Sequence, residues 1–373
     1  PTLGDFLRHR RDWVAGQGFQ PSMPGSGEPL PDWWSPETPF LDVRKSDFDL
    51  VLLRSDCEKV GSRFRCLHRP RQRRLYQPPM VLITKGSAKA AFCNHRVLFR
   101  DTVYSIAGPK EDEPRLMFLA GVLSSRMSRY ILFHTAASLG IERNQIRVGE
   151  IKRLPFPMPD ETESPSQASI IIDDVAHLIN SLIGGLTGVS REQMTQLVEE
   201  AKNRIDQLVY EYFNITKWEK IFIDETIDYI QDSATPSSPS KMTPLLRPAM
   251  REDREQYTRL LCELLNSWSS QTRFVVGGRV LVSDRLGLGI VTLFHGADKA
   301  DYTEVTGSKE IERVLKRLRE VAQESHRRFR RIYDLTLFEE NEIYLIKPLA
   351  IRHWMCTAAM NDADKVAAAI LST

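Results

Sequence analysis

The chain has 373 residues, 42% of them hydrophobic, and a formal charge of +2, so two globular domains with sizeable cores are expected. No apolar run approaches the ~20 residues of a bilayer span, and the basic start, 1–13, lacks the apolar stretch of a signal peptide. Membrane insertion and secretion are therefore not expected, and a cytoplasmic protein is.

The opening at Pro1, without an initiator methionine, points to a piece of a longer chain. Five cysteines, at 57, 66, 93, 262 and 356, are scattered and never spaced C-x-x-C, which argues for free thiols rather than disulfides or a zinc knuckle. Cys93 with His95, and His353 with Cys356, supply two metal ligands each where a structural zinc needs four.

Residues 1–47 read as loop-rich, with many Gly and Pro between 16 and 39 and the pair Trp33-Trp34 in the middle. Two indoles in such a segment are expected to pin it to the protein's own core; stacking on a base is the alternative. From 48 onward the pattern is β-like. Phe48, Leu50 and Leu52 alternate, and short apolar runs follow at 80–84, 90–92, 97–99 and 103–106. Residues 116–137 carry apolar residues at helical spacing and predict one amphipathic helix, started by Pro114 and stopped by Gly140. Strands followed by such a helix give an α+β domain.

Between 61 and 76 lies GSRFRCLHRPRQRRLY, with Arg63, Arg65, Arg69, Arg71, Arg73 and Arg74 and no acid. Phe64, His68 and Tyr76 are interleaved. Guanidinium forks pair phosphates or guanine edges, and rings can pack on sugar or base. The alternative is a solvated basic loop, or arginines paired with the acids of 42–58. Asn94, His95 and Arg96, between two expected strands, either face the same groove or are ordinary turn residues.

An acidic Ser/Pro segment, 160–167, leads into helices expected at 168–183, 190–212 and 217–231, with capping boxes at Ser190/Gln193 and Thr216/Glu219. The stripe Met194, Leu197, Val198, Ala201, Ile205, Leu208, Val209 and Tyr212 predicts helix-pair packing. The Ser/Pro-rich stretch 231–240 reads as a linker. Beyond it, a helix at 251–268, strands at 273–282 and 288–294, a helix at 309–328, a strand at 342–346 and a helix at 362–371 form a second, smaller α+β domain. The expected organisation is 1–159, a mixed-sheet α+β domain with packed helices; 160–231, a helical block; 232–246, a linker; and 247–373, the second domain.

The order of parts around 116–159 resembles a known family. Leu123-Ser124-Ser125 in a helix, then Gly140-Ile141-Glu142-Arg143, Glu150-Ile151 and Leu154-Pro155-Phe156-Pro157, is similar to the C-terminal target-recognition region of bacterial N6-adenine DNA methyltransferases of restriction-modification and phage-defence systems. The stretch RIDQLVYEYFNIT, 204–216, resembles the helical element after that region, so the likeness covers about 48–230. The tail 344–371 is similar more weakly. The resemblance implies binding of double-stranded DNA beside a methylase domain or subunit. Contacts are expected from Arg63, Arg65, Arg69, Arg71, Arg73, Arg74, Asn94 and Arg96, and from Arg143, Arg147 and Lys152. Residues 247–373 would dock a protein partner or the missing half.

Catalytic motifs are not found. The cofactor S-adenosylmethionine needs a glycine-rich turn after a first strand, and Gly287-Leu288-Gly289 lies within a hairpin instead. Tyr76-Gln77-Pro78-Pro79-Met80 has Gln and Met where the Asp/Asn-Pro-Pro-aromatic motif needs an acid or amide and a ring to hold a flipped adenine. Glu339, Glu340 and Glu342 near Lys347 lack the acid two residues before the lysine that a nuclease signature needs. The parent protein is thus expected to be a site-specific adenine-N6 methyltransferase that holds S-adenosylmethionine elsewhere, with no cofactor or metal in this chain. A non-catalytic protein-interaction scaffold, its arginine loop gripping an acidic protein, is the competing expectation.

Overall fold

The structure is a computed structural model that describes residues 1–23, 26–46, 48–86, 89–137, 146–186, 188–234, 243–268, 275–297, 302–306, 308–324, 335–338 and 342–371. The chain forms two compact units, Pro1–Ile227 and Asp228–Thr373, and both mix helices with sheets, an α+β fold. The helical block expected at 160–231 packs within the first unit almost entirely.

In the first unit the order is α1 (Leu3–His9), β1 (Val14–Gln17), β2 (Gln20–Pro21), β3 (Glu28–Pro29), β4 (Pro39–Leu41), β5 (Leu50–Val51), β6 (Glu58–Lys59), β7 (Cys66–Arg69), β8 (Met80–Thr84), β9 (Ala90–Cys93), β10 (Leu98–Phe99) and β11 (Val103–Ala107). Helices follow as α2 (Glu113–Ser124), α3 (Arg126–Thr135), α4 (Val148–Ile151), α5 (Pro165–Gly185), α6 (Arg191–Tyr212) and α7 (Lys217–Glu225). The main sheet runs β1-β11-β8-β9-β5, and two smaller sheets run β10-β4-β6 and β2-β7-β3.

The main sheet divides two cores. Side chains alternate across a strand, so Val81, Ile83, Phe92, Tyr104 and Ile106 join the helical side, while Met80, Leu82, Ala91, Cys93 and Val103 join the other. Burial on both faces explains why these strands read as unbroken apolar runs rather than alternating ones. The helical core is centred on α2, whose residues Leu116 to Leu123 are all buried. Gly121 lets it approach α5 and α6: a Cβ there would sit 3.0 Å from Val175 Cγ1 and 3.1 Å from Ile205 Cγ2.

The single helix expected over 116–137 is two helices bent by 57°. Ser125 ends one and starts the other: its extended backbone breaks the ladder, its Oγ donates to Val122 O at 2.7 Å, and the same oxygen accepts Ser128 N–H at 3.2 Å. The hydroxyl thus satisfies groups at both ends, which the apolar spacing could not reveal. The segment 1–47, read as loop-rich, also holds regular structure. β1 pairs antiparallel with β11, and the Trp13 indole N–H donates to buried Asp112 at 2.9 Å.

Capping boxes at Ser190/Gln193 and Thr216/Glu219 start α6 and α7 as expected. By length and composition alone α5 is long and apolar enough to cross a bilayer, although Asp173 and Asp174 interrupt its apolar run. Its Ile171, Val175, Ile179 and Leu182 are buried in the helical core, while Asp173 and Asp174 are exposed.

The second unit contains α8 (Gln231–Ala234), α9 (Arg251–Trp268), β12 (Val275–Ser283), β13 (Leu288–Ala297), β14 (Tyr302–Thr306), α10 (Ser308–Glu324), β15 (Leu335–Phe338), β16 (Glu342–Pro348) and α11 (Cys356–Leu371). Its sheet runs β14-β12-β13-β16-β15. Gly287, at φ +64°, closes the β12–β13 hairpin in the left-handed region. Lys347 is 1% exposed and pairs with Asp362 at 2.5 Å, and Tyr257 donates to the same carboxylate at 2.7 Å. Lys347 is therefore a core ion-pair partner; Glu339 and Glu340 lie outside the described residues.

Candidate nucleic-acid interface

The arginine run lies on the side of the main sheet opposite the helices. Gly61, at φ +56°, turns the chain after β6 and donates to Pro36 O at 2.9 Å. The run then forms β7, the middle strand of its small sheet, and a 3-10 turn, Arg73–Tyr76. Between the arginines, Leu67, Leu75 and Tyr76 are buried, and half-buried Phe64 packs on the same core.

Those rings are anchors. Phe64 packs edge-on against Phe19 (4.9 Å between centroids) and Phe40 (5.5 Å), and Tyr76, wholly buried, lies 4.9 Å from Phe99 and 5.4 Å from Trp33. Tyr76 is thereby removed as a surface for sugar or base, correcting the reading of the interleaved rings as contact groups; His68 alone of the three is exposed. Trp33 and Trp34 pack on the same core, as the anchoring reading expected.

The six arginines separate by partner. Arg63 pairs with Glu58, which also takes Lys45 at 2.9 Å, so the acids of 42–58 do neutralise one of them. Arg71 Nε donates to Gly18 O at 3.3 Å. Arg74 clamps two carbonyls, Pro78 O at 3.2 Å and Gly108 O. Both bonds go to backbone carbonyls rather than carboxylates, and they hold the loop to the sheet. Arg65, Arg69 and Arg73 are exposed and have no ion-pair or hydrogen-bond partner among the described residues.

Asn94 is exposed in the turn after β9. Arg96 is half-buried, donates to Trp33 O, and lies over the Trp33 ring at 5.6 Å. Burial lowers its affinity for a proton, and neighbouring Arg73 lowers it further. Lys85, at the end of β8, was not picked out by its sequence context. Burial lowers its pKa, with Asp101 opposing and Arg71 reinforcing that shift. The Lys85 carbonyl accepts Ile146 N–H at 2.9 Å, which brings Arg147, exposed at the start of α4, next to this stretch of chain. Lys152 is half-buried, and its carbonyl accepts Gly4 N–H at 2.8 Å. Arg143, with the 140–143 motif, lies outside the described residues.

Beside this surface Cys57, Cys93 and His95 gather, with His95 Nε2 at 4.0 Å from Cys57 Sγ and 3.9 Å from Cys93 Sγ. Burial pushes the Cys57 thiol up to about 12 and Cys93 higher still, and it lowers His95. Uncharged thiols are poor ligands, and among the described residues no group of three or more side chains is placed to hold a metal.

No protein-family model matches the sequence, and no curated protein is similar to it. Among the solved structures similar to parts of the chain are two restriction-modification proteins. The type IIG restriction endonuclease BpuSI aligns over 57% of this chain at 13% identity, with a TM-score of 0.31. A type I restriction-modification assembly aligns over 55% at 12% identity, with a TM-score of 0.24. The matches span 31% and 50% of those chains respectively.

Proposed function

We propose that the first unit binds duplex DNA through its arginine-bearing layer and positions it for an adenine-N6 methylase domain or subunit outside this chain. One observation carries the reading. Arg65, Arg69 and Arg73 stand exposed, without carboxylate partners, on a loop held down by its own rings and by Arg71 and Arg74. A loop fixed beforehand loses little conformational freedom on binding. Three unpaired guanidiniums on it repel one another until an anion arrives, and backbone phosphates are such anions. Arg96, Lys85 and Arg147 add further cations to this side of the chain, and exposed Asn94 adds a neutral hydrogen-bonding group. S-adenosylmethionine and the flipped adenine belong, in this reading, to the methylase partner.

The test is a variant with Arg65, Arg69 and Arg73 all changed to Ala. Its affinity for an unrelated DNA duplex at low salt should fall at least about tenfold. Its stability should move by only about half a kcal/mol per substitution, since none of the three side chains has a partner to lose. A variant that binds DNA as the parent does, or that instead loses binding to an acidic polypeptide, would overturn the DNA reading in favour of a protein-interaction scaffold.

A further inference from the structure

Among the described residues Glu58 is the acid that pairs with the arginine run, and it holds two cations at once. Its Oε1 accepts from the Lys45 ammonium at 2.9 Å, and its Oε2 takes the Arg63 guanidinium. Backbone contacts bring the three together. The turn after β6 folds Arg63 back, its N–H donating to Val60 O at 3.4 Å, and Ser46 Oγ donates to Asp56 O at 2.9 Å, which sets Lys45 beside the start of β6. Glu58 lies opposite Phe40 in the β4–β6 pair, and the Arg63 guanidinium sits 5.6 Å over the Phe40 ring. That ring contact does not depend on the carboxylate, so it holds Arg63 in place whichever anion faces it.

Two cations on one carboxylate leave the trio with one positive charge, while the neighbouring pair Lys59–Glu37, at 2.5 Å, cancels. All three side chains reach solvent: Glu58 is 40% exposed, Arg63 39% and Lys45 63%. An incoming anion can therefore reach them, and ion pairs this open add little stability. A phosphodiester offers two non-bridging oxygens where Glu58 offers two carboxylate oxygens, so it can take both cations in the same arrangement. Duplex DNA presents phosphates in series and releases counterions as they are neutralised, which a lone carboxylate does not.

We propose that Glu58 is a resident stand-in for a backbone phosphate, which Lys45 and Arg63 exchange for DNA. Lys45 thereby joins the DNA-contacting cations, and Glu58 lowers affinity by competing for two of them. This exchange rests on the DNA-binding reading of the first unit and adds to it a residue that opposes binding.

The experiment measures affinity for an unrelated duplex over a salt series, using the full chain and its Glu58→Gln, Lys45→Ala and Arg63→Ala variants. Glu58→Gln keeps the side-chain shape and removes the charge, so affinity at low salt should rise about fivefold. Lys45→Ala and Arg63→Ala should each make the slope of log affinity against log salt shallower by about 0.9, since each removes a cation that reaches phosphate. Unchanged affinity in Glu58→Gln, or an unchanged slope in Lys45→Ala, would overturn the exchange. So would a gain in Glu58→Gln seen with polyglutamate and not with duplex. If the parent binds duplex and the Arg65, Arg69 and Arg73 variant loses it while Glu58→Gln changes nothing, the exchange falls and the DNA-binding reading stands. A parent without duplex affinity would remove both. Arg63→Ala also uncovers the Phe40 ring, whereas Lys45 is exposed and paired with Glu58 alone among the described residues, so Lys45→Ala keeps the test independent of packing.

Discussion

At the scale of single residues, charge type was legible in the sequence and charge status was not. Six arginines without an acid among them were plain to see, and Glu58, five residues before Arg63, was among the acids offered as a partner; the carbonyls that hold the others come from far along the chain, Gly18 O for Arg71 and Gly108 O for Arg74. Asp206 is a second residue whose state only packing sets. It is 6% exposed and accepts the Arg126 N–H at 2.8 Å, capping α3 from α6. Burial raises its pKa from the usual carboxylate value to about 6, against the opposing pull of that N–H and of Arg126. A carboxyl raised on folding stabilises the protein fully below its unfolded pKa near 4, and the benefit is lost as pH rises through about 6. Asp206→Asn keeps an acceptor for Arg126 N–H but cannot ionise. Its melting temperature should therefore match or exceed the parent's at pH 7.5. Relative to the parent it should fall behind as pH drops from 7 to 4, by up to about 3 kcal/mol. Parallel pH profiles of the two proteins would refute the buried-carboxyl account.

At the scale of elements, locally encoded features were readable. The capping boxes of α6 and α7, the turn at Gly287 and the apolar strands β8, β9 and β11 all appear where the sequence puts them. Three features escaped. The break at Ser125 leaves the apolar spacing undisturbed. β1 and β14 are edge strands with little apolar signal, and their pairing with β11 and β12 defines them. The burial of Tyr76 and the packing of Phe64 depend on Phe19, Trp33 and Phe99, none of which is near in sequence. Gly121 gives the element scale its test. Gly121→Val would drive methyl groups into Val175 and Ile205, where even a Cβ is tight, and should destabilise the first unit by about 1–3 kcal/mol. Gly184 and Gly185, at the end of α5, have nothing within 4 Å of an added Cβ, so Gly185→Ala should be neutral or mildly stabilising. Denaturant midpoints of the two variants decide it, and equal losses would contradict the close approach of α2 to α5 and α6.

At the scale of the whole molecule, a net charge of +2 conceals a concentrated basic surface, because Lys and Arg nearly balance Asp and Glu over 373 residues. The arginines are gathered in one stretch of the sequence, while their placement on the sheet face opposite the helices comes from the two-core layering. Limited proteolysis should cut first within 231–246, a stretch rich in Ser and Pro that follows the boundary between the two units, and the N-terminal piece should retain all of the DNA affinity. First cleavage inside α5 or α6, or loss of binding on cutting, would break the assignment of function to the first unit. The most direct test of the central claim is the dependence of DNA affinity on salt. For the parent chain, log affinity should fall steeply and linearly with log salt. Changing Arg65, Arg69 and Arg73 to Ala should make the slope shallower by about 0.9 for each phosphate no longer neutralised. A parent slope near zero, or one identical in the triple variant, would contradict the claim that these arginines hold DNA.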